Sequence, residues 1–375
     1  MGDKVQGGGL ILDPGLAYGL MWAGFAAYLG VLVIAPALGN RVIWGTIAVL
    51  VAAFALAPVL LSHDVFSYVD YARLGVVHDL DPYVHPPEAV PADPAFANVT
   101  WTESTSAYGP LFTLATYPLA WLGVGAAVAV LKAVAALSVL GLAALAARIA
   151  AWRGVEPLRA AAFVALNPLV LVHIVGGAHN DGLTMLLAML AVAAILSGRE
   201  AAGGAALLAA IATKASAAFL APFALLATLR ERRWPRLLAG AAIAAALVAA
   251  SAYAAFGWDW LSGFGLAGEN QSRTSHMSLP ITTARLTGLD PGPVRAAAAV
   301  LYAALVAWLL VCTWRGGDWV RAAAWAALGL LLATSWLLPW YLVWALPLAA
   351  VSRDRPLQLL TLALTAYQLG ARIPL

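Results

Sequence analysis

The run 122–147 carries a single charged side chain, Lys132, in a stretch long enough to cross a bilayer as a helix. A lone segment in lipid must satisfy its own backbone hydrogen bonds, and only a helix does so. Comparable runs recur at 15–37, 42–61, 158–175, 182–197, 202–214, 216–229, 237–256, 294–313, 319–333, 338–351 and 356–372. Together they predict about twelve transmembrane helices, with 202–214 and 216–229 near the lower limit of length. Composition agrees: 63% of residues are hydrophobic and 10% charged, against about 25% charged in a soluble domain. The chain therefore reads as a single all-α, polytopic membrane domain, 1–375. Abundant Ala and Gly within the runs allow close helix approach. The sole cysteine, Cys312, excludes an intrachain disulfide and a cysteine-based metal site. The net charge of +3 is spread among loops, which points to membrane topology and away from nucleic-acid binding. No cleavable leader is expected, because the first run is long for one and Lys4 is the only basic residue before it.

Basic residues fix an orientation. Arg41, then Arg148, Arg153 and Arg159, then Arg199, Arg230 to Arg236, Arg315 with Arg321, and Arg353 with Arg355 occupy alternate loops. These are expected to be cytoplasmic. The opposite loops hold most of the acids and include two long ones, 62–121 and 257–293, with both termini on their side. A connection as long as 62–121 is usually functional.

The first outer loop opens on Ser62-His63-Asp64-Val65-Phe66-Ser67-Tyr68-Val69-Asp70-Tyr71, read as an amphipathic helix running through Val77. Asp64, Tyr68 and Tyr71 share one face of it, with Asp70 on another. A partly desolvated carboxylate at Asp64 can accept a proton from an attacking hydroxyl. Equally, Ser62 or Asp64 can serve as a helix cap. The run 110–119 is too short to span and is expected to lie in the interface or re-enter. His179-Asn180-Asp181, after Gly176-Gly177, can hold a metal, sugar or phosphate, or simply cap the next helix. Lys214, Arg273 and His276 are outer-side cations, the latter two in the second loop with Glu269-Asn270-Gln271-Ser272. Singly each reads as solvated or snorkelling; facing a carboxylate-bearing loop, they suggest an anionic head group. Trp336 to Tyr341 reads first as an interfacial aromatic belt, and Trp340 and Tyr341 can also pack on sugar or prenyl groups. Lys132 calls for snorkelling or an internal partner. Nucleotide-binding glycine loops, zinc-protease motifs and nucleophile elbows are missing from the sequence.

Four stretches resemble the polytopic glycosyltransferases of the GT-C fold. They are His63-Asp64-Val65-Phe66-Ser67-Tyr68 with Asp81-Pro82-Tyr83; Tyr108-Gly109-Pro110-Leu111; Asn167-Pro168-Leu169-Val170 through His179-Asn180-Asp181; and Pro339-Trp340-Tyr341-Leu342-Val343-Trp344. More closely, they resemble the bacterial polyprenyl-phosphate-mannose-dependent alpha-1,6-mannosyltransferases of actinobacterial lipoglycan assembly. The resemblance implies a polyprenyl-phosphate sugar donor, a glycan or glycolipid acceptor, and an inverting transfer on the outer face of a bacterial plasma membrane. It places the catalytic acid at Asp64 and the donor phosphate on Lys214, Arg273 and His276. It makes His63, Tyr68, Tyr108, His179, Asn180, Asp181, Trp340 and Tyr341 substrate-binding; no cofactor is expected, and because only Asp64 stands where many GT-C enzymes carry two adjacent acids, catalysis without a metal is expected. The alternatives are a carrier or flippase for a lipid-linked saccharide, a transferase of another sugar, and a non-catalytic envelope partner. A carrier should place polar groups at the midplane and show repeated halves. Here the polar groups gather at one face and no repeat is visible, which favours a transferase.

Overall fold

Every regular element among the described residues, 14–269 and 272–372 of a computed structural model, is helical. Lys4, Asn270 and Gln271 lie outside them. Helix α1 (Pro14–Leu56) contains the first two expected runs, which meet at Gly39. Gly39 adopts φ 74°, a conformation that a side chain would strain. The second run ends at Leu56 and not at 61. Pro58 explains this, since it lacks an N–H and biases Ala57 away from the helix. Lys132 finds an internal partner here: its ammonium donates to Ala57 O and, at 3.0 Å, to Pro58 O. It thus satisfies carbonyls that the helix end leaves open.

Helix α2 (Asp64–Val77) follows, as the amphipathic reading predicts. Next come α3 (Pro110–Thr116), α4 (Val124–Trp152), α5 (Pro157–Ala165), α6 (Asp181–Leu196), α7 (Glu200–Thr213) and α8 (Ala221–Leu229). The chain continues through α9 (Trp234–Phe256), α10 (Ser262–Glu269), α11 (Leu279–Thr287), α12 (Pro291–Trp314), α13 (Trp319–Ala333), α14 (Leu346–Ala350) and α15 (Arg355–Arg372). Four described helices are long and apolar enough to cross a membrane, namely Tyr18–Leu56 within α1, α4, α9 and α12. A fifth forms if α5 and the wide turn Val170–Gly176, bent by 63°, count as one span. Helices α6, α7 and α13 are apolar but shorter.

Helix α4 is central, burying Val139, Leu142, Ala143, Ala146 and Ile149 in the main core. Helices α7 and α9 cross almost backbone to backbone. A Cβ on Gly204 would lie 1.9 Å from Leu237 O, and one on Gly240 would lie 1.9 Å from Ala201 O. Ile243 and Leu247 of α9, and Val300 and Leu301 of α12, point outward. Apolar faces of this extent need lipid cover. The loops read as cytoplasmic from their arginines do meet in space. Arg153 pairs with Asp318, Arg353 donates to Arg153 O, and Arg321 Nε lies 2.6 Å from Asp354 Oδ2.

Several expected spans are interrupted. The run 158–175 bends after α5, where Pro168 removes a donor. Asn167 repairs the gap, accepting Leu169 N–H at 3.0 Å and donating to Thr365 Oγ1 at 3.2 Å. Lys214 sits extended (φ −156°, ψ 125°) between α7 and the tight turn Ala215–Leu220. The run 338–351 begins as a tight helical segment, Pro339–Trp344, before α14. Irregular backbone inside an apolar bundle is tolerated where it is covered by protein or lines a cavity.

Candidate active site

The breaks at 57–63, 177–180, 214 and 334–345 converge beside the two long loops. There a cavity of about 340 Å³ opens. Asp64 lines it from the first turn of α2. His63 holds the cap position without a side-chain bond, and Ser62 Oγ accepts Asp64 N–H at 3.3 Å. The Asp64 carboxylate is therefore free of a capping duty. Trp101 Nε1 donates to its Oδ1 at 3.1 Å. His179 Nδ1 stands 3.6 Å from its Oδ2, beyond hydrogen-bond reach. Burial raises the Asp64 carboxyl above the usual range, opposed by the Trp101 N–H and the Lys214 ammonium, with Asp181 adding a further upward push. A raised carboxyl is a stronger base when ionised, which suits it to take a proton.

Lys214 and Arg273 line the same cavity. Lys214 Nζ lies 2.7 Å from Asp181 Oδ2, and 5.4 Å and 6.0 Å from the ring centres of Tyr341 and Trp344. Trp344 Nε1 donates to the other oxygen, Asp181 Oδ1, at 2.7 Å. The Arg273 guanidinium stacks on Trp101 at 5.0 Å and reaches Trp336 at 5.8 Å. Tyr108, Trp340 and Tyr341 supply aromatic wall. The cavity thus brings together one carboxylate, two cations and flat aromatic faces, groups able to bind an anionic, sugar-like ligand.

Other expected contacts fall elsewhere. His63 and His276 are exposed and do not line the cavity; the His63 ring packs edge-on to Phe66 at 5.6 Å. Tyr68 is buried beneath the cavity, edge-on to Tyr108 at 4.9 Å and Phe112 at 5.0 Å. Tyr71 reaches the lining instead, its hydroxyl donating to Ser104 O at 2.7 Å. His179, Asn180 and Asp181 are buried behind the wall. Helix α6 starts at Asp181 with Asn180 in the cap position and no side-chain cap bond. The His179 ring lies flat on Trp340, 3.8 Å centre to centre. Burial, then His173 and Lys214, push the imidazole well below its ordinary value, so it is neutral. Asp70 is buried away from the cavity, near Asp93, which Arg73 and His78 hold. Among the described residues, no three His, Cys, Asp or Glu side chains converge as metal ligands would. Trp101 and Trp344, the indole donors to the two carboxylates, were not among the expected residues. The sequence signal for Trp344 is its place at the end of the stretch Pro339-Trp340-Tyr341-Leu342-Val343-Trp344, and that for Trp101 is only an indole within a long loop.

Residues 11–230 match the model of the family described as alpha-(1->6)-mannopyranosyltransferase, N-terminal domain. The chain belongs to this family. It is similar to alpha-(1->6)-mannopyranosyltransferase A of Mycobacterium tuberculosis, 32% identical over 324 residues, covering 78% of this chain and 61% of that protein. It is also similar to alpha-(1->6)-mannopyranosyltransferase A of Corynebacterium glutamicum, 30% identical over 237 residues, covering 54% of this chain and 46% of that protein. The chain thus spans less than two thirds of the length of either relative. No solved structure matches it. The family expected from the four motifs is the family found. In this mannopyranosyltransferase-family chain, the matched region contains Asp64, Trp101, Asp181 and Lys214, whereas Arg273 and the aromatic segment 336–344 lie beyond it.

Proposed function

We propose that the chain is a GT-C membrane mannosyltransferase of about twelve spans. It moves mannose from a polyprenyl-phosphate donor to a hydroxyl of a glycan or glycolipid acceptor, forming an alpha-1,6 linkage. The reaction takes place at the outer face of the bacterial plasma membrane. The observation that carries this reading is that Asp64, Lys214 and Arg273 line one cavity walled by Tyr108, Trp340 and Tyr341. Family membership supports mannose and the linkage, and the shared end of the basic loops supports the orientation.

Asp64 accepts the acceptor hydroxyl proton as that oxygen attacks the anomeric carbon. The bond from the anomeric carbon to the phosphate oxygen breaks, and its electron pair leaves with the prenyl phosphate. Lys214 and Arg273 stabilise the charge that develops on that phosphate. Attack opposite the leaving group inverts the anomeric centre. His276, exposed and off the cavity, is dropped from the phosphate set.

The test uses purified protein in detergent with a polyprenyl-phosphate-mannose analogue and a panel of mannoside acceptors. Acceptor mass is followed with and without chelator, beside Asp64→Asn. A gain of one hexose is expected; it survives chelation and falls by about 10²- to 10⁴-fold in Asp64→Asn, with donor binding kept. Full activity in Asp64→Asn would remove Asp64 as the base. Tight donor binding without transfer to any acceptor would favour a carrier.

A further inference from the structure

Base and phosphate cation cannot be placed independently in an in-line displacement. The attacking and leaving oxygens stand on opposite sides of one carbon, and an error of about 1 Å can cost on the order of a hundredfold in rate. In this structure both groups border the same short turn, His179-Asn180-Asp181, Lys214 through an ion pair and Asp64 by packing without a hydrogen bond. His179 Nδ1 is 3.6 Å from Asp64 Oδ2, and Asp181 Oδ2 is 2.7 Å from Lys214 Nζ. Neither turn side chain is exposed: His179 and Asp181 both show 0% of their side-chain surface. A bound sugar in the cavity cannot reach them. Asp181 opens a helix yet caps nothing, so its two oxygens are committed to Lys214 and Trp344 alone.

The turn itself is held on all sides. Ala178 adopts a left-handed φ of 56°, unusual for a residue with a side chain. A Cβ on Gly177 would lie 2.6 Å from His173 O, and one on Gly182 would lie 2.6 Å from Ile174 Cγ2. Leu60 N–H, four residues before Asp64, donates to Gly176 O at 3.2 Å. From the far end of the chain, the segment Pro339–Trp344 covers both functional side chains: Trp340 stacks on His179, and Trp344 holds Asp181.

We propose that His179 and Asp181 are positioning residues that touch no substrate, and that their turn sets the separation between the base Asp64 and the phosphate cation Lys214. The inference rests on the transfer reaction proposed above. It differs from the substrate-binding role that the sequence suggests for the same residues.

A double-mutant cycle tests it. Asp181→Asn preserves shape, but its single carboxamide oxygen can serve only one of Trp344 Nε1 and Lys214 Nζ. Lys214→Met is expected to slow single-turnover transfer about a hundredfold. Asp181→Asn alone should cost about tenfold to a hundredfold. Because Asp181 acts through Lys214, the double variant should stay within about threefold of Lys214→Met. Multiplied losses, about a thousandfold or more, would mean that Asp181 acts on the substrate directly and would overturn the proposal.

His179→Phe provides the second arm. It keeps a ring on Trp340 and removes both ring nitrogens, among them the Nδ1 that faces Asp64. The expected result is a rate loss of about tenfold with the donor-analogue Kd unchanged. An unchanged rate would remove His179 from the scheme. If wild-type protein transfers no hexose, the reaction reading itself fails. Binding of a prenyl monophosphate then decides the phosphate half: both single variants should weaken it equally and the double variant no further. Independent weakening overturns it.

Discussion

Trp101→Phe isolates one hydrogen bond to Asp64, the base proposed above. The indole N–H meets Asp64 Oδ1 at 3.1 Å, and a hydrogen bond to a charged group contributes about 1.5–3 kcal/mol. Asp64 keeps 15% of its side-chain surface exposed, so water replaces part of the loss and the low end applies. About 1.5 kcal/mol is roughly a tenfold change in the ratio of ionised to neutral carboxyl. The sign follows from the chemistry. Burial already raises this carboxyl, and the N–H opposes the rise; losing it raises the carboxyl further. Since the base must be ionised, the acid limb of the pH–rate profile moves to higher pH, and rates on that limb fall about tenfold. The high-pH plateau should hold, because Phe retains a ring face for the Arg273 guanidinium, now 5.0 Å above Trp101. The assay is hexose transfer across pH for both proteins. A lowered plateau with an unmoved limb, or a limb displaced to lower pH, would refute the reasoning.

Two further predictions concern stability. Burial and then Asp93 push Asp70 up to about 7, with His78 and Arg73 restraining it. Its folded value lies above its unfolded one, so its cost is absent at acid pH and grows as pH rises toward 7. Asp70→Asn should therefore raise the melting temperature in detergent at pH 8 and leave it nearly unchanged at pH 4; a gain confined to acid pH would contradict this. Gly204→Ala places a methyl 1.9 Å from Leu237 O and should force α7 and α9 apart. A loss of about 1–3 kcal/mol is expected, read as a lower melting temperature.

The all-helical class was legible because apolar runs outlast any soluble core helix, and the start of α2 at Asp64 was legible from the change to amphipathic spacing. The breaks were less so. Pro168 lies within an apolar run, and hydrophobicity alone carries the eye through it. Tyr68 shares the nominal face of Asp64, yet the packing of Tyr108 and Phe112 takes it inward. That choice belongs to α3, not to α2. Least legible were the partners of the carboxylates. Trp101 is 37 positions from Asp64, and Trp344 is 163 from Asp181. No local pattern encodes such meetings. The grouping of the basic loops was easier, since the arginines alternate along the chain and Arg153, Arg321 and Arg353 do meet at one end of the bundle.

The interval between Asp181 and its two partners orders events during synthesis. Lys214 follows Asp181 by 33 positions and Trp344 by 163. At about 5–20 residues per second, the first delay is roughly two to seven seconds and the second roughly eight to thirty-three. A nascent chain can thus neutralise its buried carboxylate soon after the turn emerges. Tyr108 of the aromatic wall is already made by then, but Trp340 and Tyr341 arrive only with the last helices. Until then Asp64 and Lys214 lack the cover that Trp340, Tyr341 and Trp344 give the cavity, so the cavity is completed late in synthesis.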